Sequence, residues 1–246
     1  TRLVGSEMCI RDRKRWYMLD EIQAALNEQL QNKTAFEIPL FGGIPVPASA
    51  VVTWVIILLL TLLAIWLTHD LKERPGRRQA AAEMFVGFIN NFCQEILGEK
   101  YWRTFAPYLG TIGLYLLFAN LSGLFGVAPP TKDLNVTAGL AIMSLVLIYG
   151  SQFRYHGLGG GLKKFGQPSV IITPLNVMEV GIRPLALCMR LFGNILGGFI
   201  IMELIKTVAP AVVPVPFSLY FDIFDGVLQA VVFVILTTLF LSESLE

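Results

Sequence analysis

Of 246 residues, 54% are hydrophobic and only 15% are charged, with 19 Lys and Arg against 18 Asp and Glu. Soluble domains carry about 25% charged residues, so the deficit excludes a disordered chain and argues against a water-soluble enzyme. The absence of a basic excess argues against nucleic-acid binding, and three Cys cannot form a disulfide framework.

Residues 1–13, TRLVGSEMCIRDR, resemble a translated sequencing adaptor and lack the apolar core of a signal peptide. They are read as a non-native leader, and residues 14–246 as a single membrane domain. Without the leader's three Arg and two acids the remaining chain is balanced in charge. A polar helix-like piece, Leu19 to Gln31, leads into FEIPLFGGIPVPAS, where Gly42, Gly43, Pro45 and Pro47 mark a turn region. Residues 49–68 then contain no charge. Twenty helical residues cover about 30 Å, the thickness of the hydrocarbon core, so this is a first membrane span. Trp54 and Trp66 lie near its ends, as interfacial aromatics do.

The loop at 69–78 holds Lys72, Arg74, Arg77 and Arg78. After it, Phe85, Phe88, Phe92 and Ile96 fall at helical spacing, while Glu83, Asn90, Asn91 and Gln94 mostly take another face. The pattern predicts an amphipathic interfacial helix over about 79–97. Further spans follow at about 105–126, uncharged but with Asn120 and Ser122, and at about 135–153. The next segment carries Arg154, Lys163 and Lys164. Its stretch GLGGGLKKFG lacks the Gly-Lys-Ser/Thr order of a phosphate loop and is read as a flexible loop. His69 and His156 are isolated and make no metal site. Two spans separate the two basic loops, so both lie on one side. The positive-inside rule makes that side the cytoplasm, with the N-terminus outside and the C-terminus cytoplasmic.

Thr173-Pro174 reads as an N-cap followed by Pro at the first helical position. Mostly apolar helix over 173–208 would extend about 52 Å, more than a bilayer needs, so the element must tilt, kink or run along the interface. Pro184 is the natural kink point. APAVVPVP breaks the chain, and a second long helix at about 217–242 returns. The expected fold is therefore all-α and membrane-integral: about five membrane helices plus an interfacial one, the last two forming a long tilted hairpin.

Within the hairpin sit Glu179, Arg183, Arg190, Glu203, Lys206, Asp222 and Asp225. Lys206 lies near a helix end and can snorkel. A charge at the bilayer centre costs at least about 2.5–3.5 kcal/mol, so the others must face protein or water and are functional candidates. Arg183, Arg190 and Gly197 are seven apart, and Asn194 is four beyond Arg190, which predicts a shared face. Gly193 and Gly197 form a G-x-x-x-G beside the arginine, allowing another helix to pass closely. Glu179 and Arg183 are spaced to pair. Asp222, Asp225 and Gln229 share a face of the second helix. Asn120 and Gln229 suit interhelical hydrogen bonding as well as a functional role.

Residues 184–198, PLALCMRLFGNILGG, resemble the signature of subunit a of the rotary F-type ATP synthase, of bacterial type. GVLQAVVFVILTTLFLSES is similar to that family's last helix, DLNVTAGLA to its central loop, and NVMEVGIRP to the approach to its arginine. The resemblance covers about residue 38 to the end. It implies a stationary, non-catalytic subunit of the membrane motor in the bacterial plasma membrane, coupling the passage of H⁺ or Na⁺ to ATP synthesis. It further implies two offset half-channels against a rotating ring of c subunits, with subunit b as a further partner. No catalytic residue, metal ligand or cofactor is implied. By the resemblance Arg190 is the essential arginine facing the ring carboxylate, and Gln229 its neighbour on the last helix. Asn194 is the polar residue one turn on, and Glu179 an acid of the cytoplasmic half-channel. Arg183, Gly193 and Gly197 would face the ring. Many relatives carry an acid or His nine positions after the arginine, where this chain has Phe199. The nearest acid is Glu203, so Glu203, Asp222 and Asp225 are expected to line the outer half-channel. A self-contained proton- or Na⁺-coupled carrier is the alternative reading of the same charges.

Overall fold

A computed structural model describes residues 34–38, 44–69, 76–125, 127–165, 173–208 and 214–245. The leader, the Leu19–Gln31 piece and the 69–78 loop beyond His69 and before Gly76 lie outside them.

Of the turn region before the first span, residues 39–43 with Gly42 and Gly43 lie outside the described residues, and the parts on either side are strands. Strands β1 (Thr34–Ile38) and β2 (Ile44–Pro47) pair antiparallel, with Phe36 opposite Val46 and Ile38 opposite Ile44. Pro45 and Pro47 donate no ladder hydrogen bond, which is tolerable because a two-stranded sheet consists only of edges. Helix α1 (Ala48–Thr68) follows directly. Its threonines return their hydroxyls to their own helix, Thr53 to the Ser49 carbonyl (2.9 Å) and Thr61 to that of Ile57 (2.8 Å). No polar hydrogen from them is then presented to hydrocarbon.

Helix α2 (Arg77–Leu121) is two helices joined at Gly98 (φ 73°, ψ 170°). That left-handed conformation costs a side-chain-bearing residue energy, and glycine adopts it freely. The first half is the expected amphipathic piece and the second is a span. Short 3₁₀ turns at Ser122–Phe125 and Pro130–Lys132 lead to α3 (Leu134–Phe165). Asp133 starts α3, its Oδ1 accepting from the Asn135 amide (2.9 Å) while Oδ2 accepts from Ser49 of α1 (2.6 Å). This is an N-cap that also ties two helices. A second glycine break, Gly157 (φ 71°, ψ 167°), interrupts α3. Beyond it the chain stays helical to Phe165, which corrects the expected flexible loop at GLGGGLKKFG. Leu158, Leu162 and Phe165 fall at i, i+4 and i+7, an apolar stripe that offsets the weak helix propensity of the glycines.

Helix α4 (Thr173–Val208) runs as one element with Pro184 inside it. Its 36 residues extend about 54 Å, so it crosses a bilayer only at a slant. The returning arm is α5 (Pro214–Leu219), a π-helical turn (Tyr220–Asp225) and α6 (Gly226–Leu245). The sequence had suggested one uninterrupted α-helix. The π turn abuts Gly226, whose carbonyl accepts from Asn120 Nδ2 (3.0 Å). A Cβ at Gly226 would stand 3.1 Å from that of Asn120. The close approach of α2 holds the chain where the extra residue is accommodated.

Five of these helices are long and apolar enough to cross a membrane, so the chain is a multi-pass membrane protein. The core lies where the second half of α2 packs on α6 and where α3 packs on α4 and α6. Leu109, Leu116, Leu191, Phe233 and Leu241 are fully buried there.

Candidate functional site: the Arg190 face and its polar neighbours

Arg190 stands near the middle of α4 and is exposed, whereas Leu191 beside it is fully buried against the bundle. Among the described residues Arg190 has no ion-pair or hydrogen-bond partner. A Cβ built on Gly193 or Gly197 meets nothing within 4 Å, so among the described residues nothing packs closely on that stretch of the arginine's face. Gly198 is different, because its Cβ would stand 3.2 Å from the Phe221 ring. The glycines therefore divide into two that are open to the outside and one that lets the returning arm approach.

An unpaired guanidinium halfway along a spanning helix is expensive in lipid. The face that bears it needs a countercharge or water, and the described residues of this chain supply no countercharge.

One turn beyond, Asn194 reaches inward. Its Nδ2 donates to Asp225 Oδ1 (2.8 Å) and to Gln229 Oε1 (3.2 Å). One amide thus bridges the π turn and α6. Gln229 is 3% exposed, and its Nε2 is buried with no acceptor among the described residues. Gln229 is therefore bound to Asn194, and among the described residues no hydrogen bond joins it to Arg190.

Arg183 does not share the exposure of Arg190. Its guanidinium donates to Glu179 (2.8 Å) and, across the helices, to Glu243 of α6 (2.5 Å). It also lies 5.2 Å from the centre of the Phe240 ring. Seven residues fall short of two full turns by only about 20°, so helix rotation does not separate the two arginines, and the difference lies in what packs against Arg183. Two carboxylates and an aromatic ring then hold it. This differs from the outward face expected for Arg183.

Asn120 is a link between elements, donating to the Gly226 carbonyl and accepting from Thr131 (2.9 Å). Glu203 and Asp222 lie on the backbone of α4 and of the π turn, and their side chains lie outside the described residues. Sequence reasoning overlooked Glu243. An acid inside the last turns of an otherwise apolar helix is the signal that marks it.

Residues 50–242 match the family described as ATP synthase A chain. Relatives are similar over most of the chain. The sodium-ion-specific ATP synthase subunit a of Propionigenium modestum is 33% identical, over 82% of this chain and 75% of its own length. ATP synthase subunit a of Moorella thermoacetica is 34% identical, over 84% and 94%. ATP synthase subunit a 2 of a Bradyrhizobium species is 34% identical, over 82% and 91%.

Proposed function

The chain belongs to the ATP synthase A chain family and so to the membrane sector of that complex, and from this we propose how its residues move ions. The chain is the stationary, non-catalytic partner of a ring of c subunits, held with subunit b in a bacterial plasma membrane. Arg190 faces the ring carboxylate. The observation that carries this reading is the exposed, unpaired Arg190 on a face whose flanking glycines are open.

The chemistry follows from solvation. A ring carboxylate crossing lipid has to be neutral, protonated or bound to Na⁺, because burying its charge is costly. Beside a guanidinium the ionised form is favoured, so the carboxylate's pKa falls and its ion leaves. Arginine keeps its own proton, with a pKa above about 12, so it discharges the carboxylate without relaying the ion. It therefore also blocks a straight leak between two half-channels. A potential of 100 mV supplies about 2.3 kcal/mol per charge to bias the direction of rotation. Glu179 belongs to the cytoplasmic half-channel, and Glu203, Asp222 and Asp225 to the outer one. Asn194 and Gln229 set the polarity between the two.

The test is ATP-driven ion pumping in vesicles holding the assembled complex. Arg190→Ala should abolish pumping while assembly is retained, and near-normal pumping would refute the proposal. Glu203→Gln combined with Asp222→Asn should reduce pumping severalfold. An unchanged rate in that double variant removes the outer-channel assignment and leaves Arg190 untouched.

A further inference from the structure

A groove of about 390 Å³ lies between α2 and α3, and among the described residues none of α4 or α6 lines it. Its walls are apolar: Phe105 and Tyr108 of α2 face Met143, Val146 and Leu147 of α3. Thr104, Ser151 and Arg154 stand toward one end. Along α3 the lining runs from Met143 to Tyr155, about 18 Å of helix. That is about half of the hydrocarbon thickness, the depth of the chains of one leaflet. A partner's spanning helix makes contact over about 30 Å, well beyond the length of this groove.

The end at Arg154 is basic and aromatic. Arg154 is exposed and has no ion-pair or hydrogen-bond partner among the described residues. Tyr155, which lines the groove, meets Tyr101 edge to face at 4.8 Å. Lys100 Nζ lies 5.1 Å from the centre of the Tyr101 ring, and the Arg103 guanidinium 5.4 Å from that of Trp102. Glu99, next to Lys100, accepts from Gln94 (2.5 Å). Rings and cations of this kind collect at the headgroup level. An apolar trough one leaflet deep with a cationic mouth is complementary to one fatty-acyl chain and one phosphate.

We propose that this groove is a binding site for an anionic phospholipid, with one acyl chain lying between Tyr108 and Val146 and the headgroup phosphate on Arg154. The site does not depend on the ion-translocation reading.

The experiment uses the assembled complex in nanodiscs of phosphatidylcholine. Val146→Cys carries a fluorophore, with Cys9 replaced by Ser and Cys93 and Cys188 being buried. A minor share of the lipid is either brominated phosphatidylglycerol or brominated phosphatidylcholine, whose bromine quenches on contact. Phosphatidylglycerol should quench at about fivefold lower content than phosphatidylcholine. Arg154→Gln should abolish that difference, Arg154→Lys should keep it, and both should retain ATP-driven pumping when the complex is placed in vesicles. Equal quenching by the two lipids overturns the proposal, and so does a preference that survives in Arg154→Gln. Protection from both lipids means that a protein segment fills the groove, which also overturns it. The comparison of lipids in the Val146→Cys complex stands even if an Arg154 variant fails to assemble.

Discussion

Arg183 and Arg190 are the same residue type on the same helix, and their surroundings give them different work. Arg183 is neutralised by Glu179 and Glu243 and lies against Phe240, so it joins α4 to α6. Arg190 has no such partners among the described residues and is presented outward. Between them in role stands the Asn194, Asp225 and Gln229 cluster. Its geometry allows a structural contribution to be separated from a functional one. Gln229 receives one hydrogen bond at 3.2 Å and leaves Nε2 buried and unpartnered. Removing such an amide takes away the weaker acceptor of Asn194, which keeps its bond to Asp225, and also removes a buried Nε2 without an acceptor among the described residues, so the two effects on stability oppose each other. Gln229→Leu should therefore change the thermal stability of the detergent-solubilised complex by less than about 1 kcal/mol. It should still slow ATP-driven pumping severalfold, as read by the same vesicle assay. If pumping is unaffected, Gln229 only packs.

At the scale of elements, the glycines of α4 make a sharper test than its charges. Gly193 and Gly197 have room for a side chain within this chain, and Gly198 does not. Leucine at either of the first two removes a glycine from a helix interior, which favours the helix by about 1 kcal/mol. Gly193→Leu and Gly197→Leu should therefore fold as well as the parent and lose pumping, because a closely passing partner helix is displaced. Gly198→Leu should instead lower thermal stability by about 1–3 kcal/mol through overpacking against Phe221. Measuring unfolding and pumping on the three variants side by side separates the two behaviours, and a stability loss at Gly193 would contradict the open face. The π turn belongs to this scale as well. The Asn120 to Gly226 hydrogen bond and the contact behind it fix where α5 passes into α6. That sets the position of Asp225 opposite Asn194.

For the whole molecule, the proposed orientation rests on the distribution of Lys and Arg, and labelling can check it. With the N-terminus outside, a cysteine at exposed Ala128, in the loop after the second span, should react with a membrane-impermeant maleimide in intact cells. A cysteine at exposed Gly76, beside the first basic loop, should react only after permeabilisation. The reverse pattern inverts the assignment. With that proposed orientation the groove between α2 and α3, with Arg154 at its mouth, would lie in the leaflet where anionic headgroups strengthen the field.

Much of the architecture was legible because bilayer thickness and the cost of buried charge act along the chain in one dimension. Uncharged runs of about twenty residues are long enough to span. The arginine inside PLALCMRLFGNILGG stands out without any knowledge of its neighbours. The end of the interfacial helix was readable from its periodicity, and Gly98 supplies the backbone conformation that ends it. The glycine-rich stretch after Gly157 was misread, because composition there outweighed a weak apolar stripe. What the sequence by itself determined is a multi-pass helical membrane protein of the ATP synthase A chain family with one arginine that lipid would not tolerate. Only the tertiary structure decided that Asn194 binds Asp225 and Gln229 while Arg183 binds Glu243, sixty residues away. It also decided that the returning arm contains a π turn and that α2 and α3 leave a groove between them. The physical reason is that such contacts depend on the rotation and register of helices distant in sequence. Packing at many points fixes that rotation together, and no single segment encodes it.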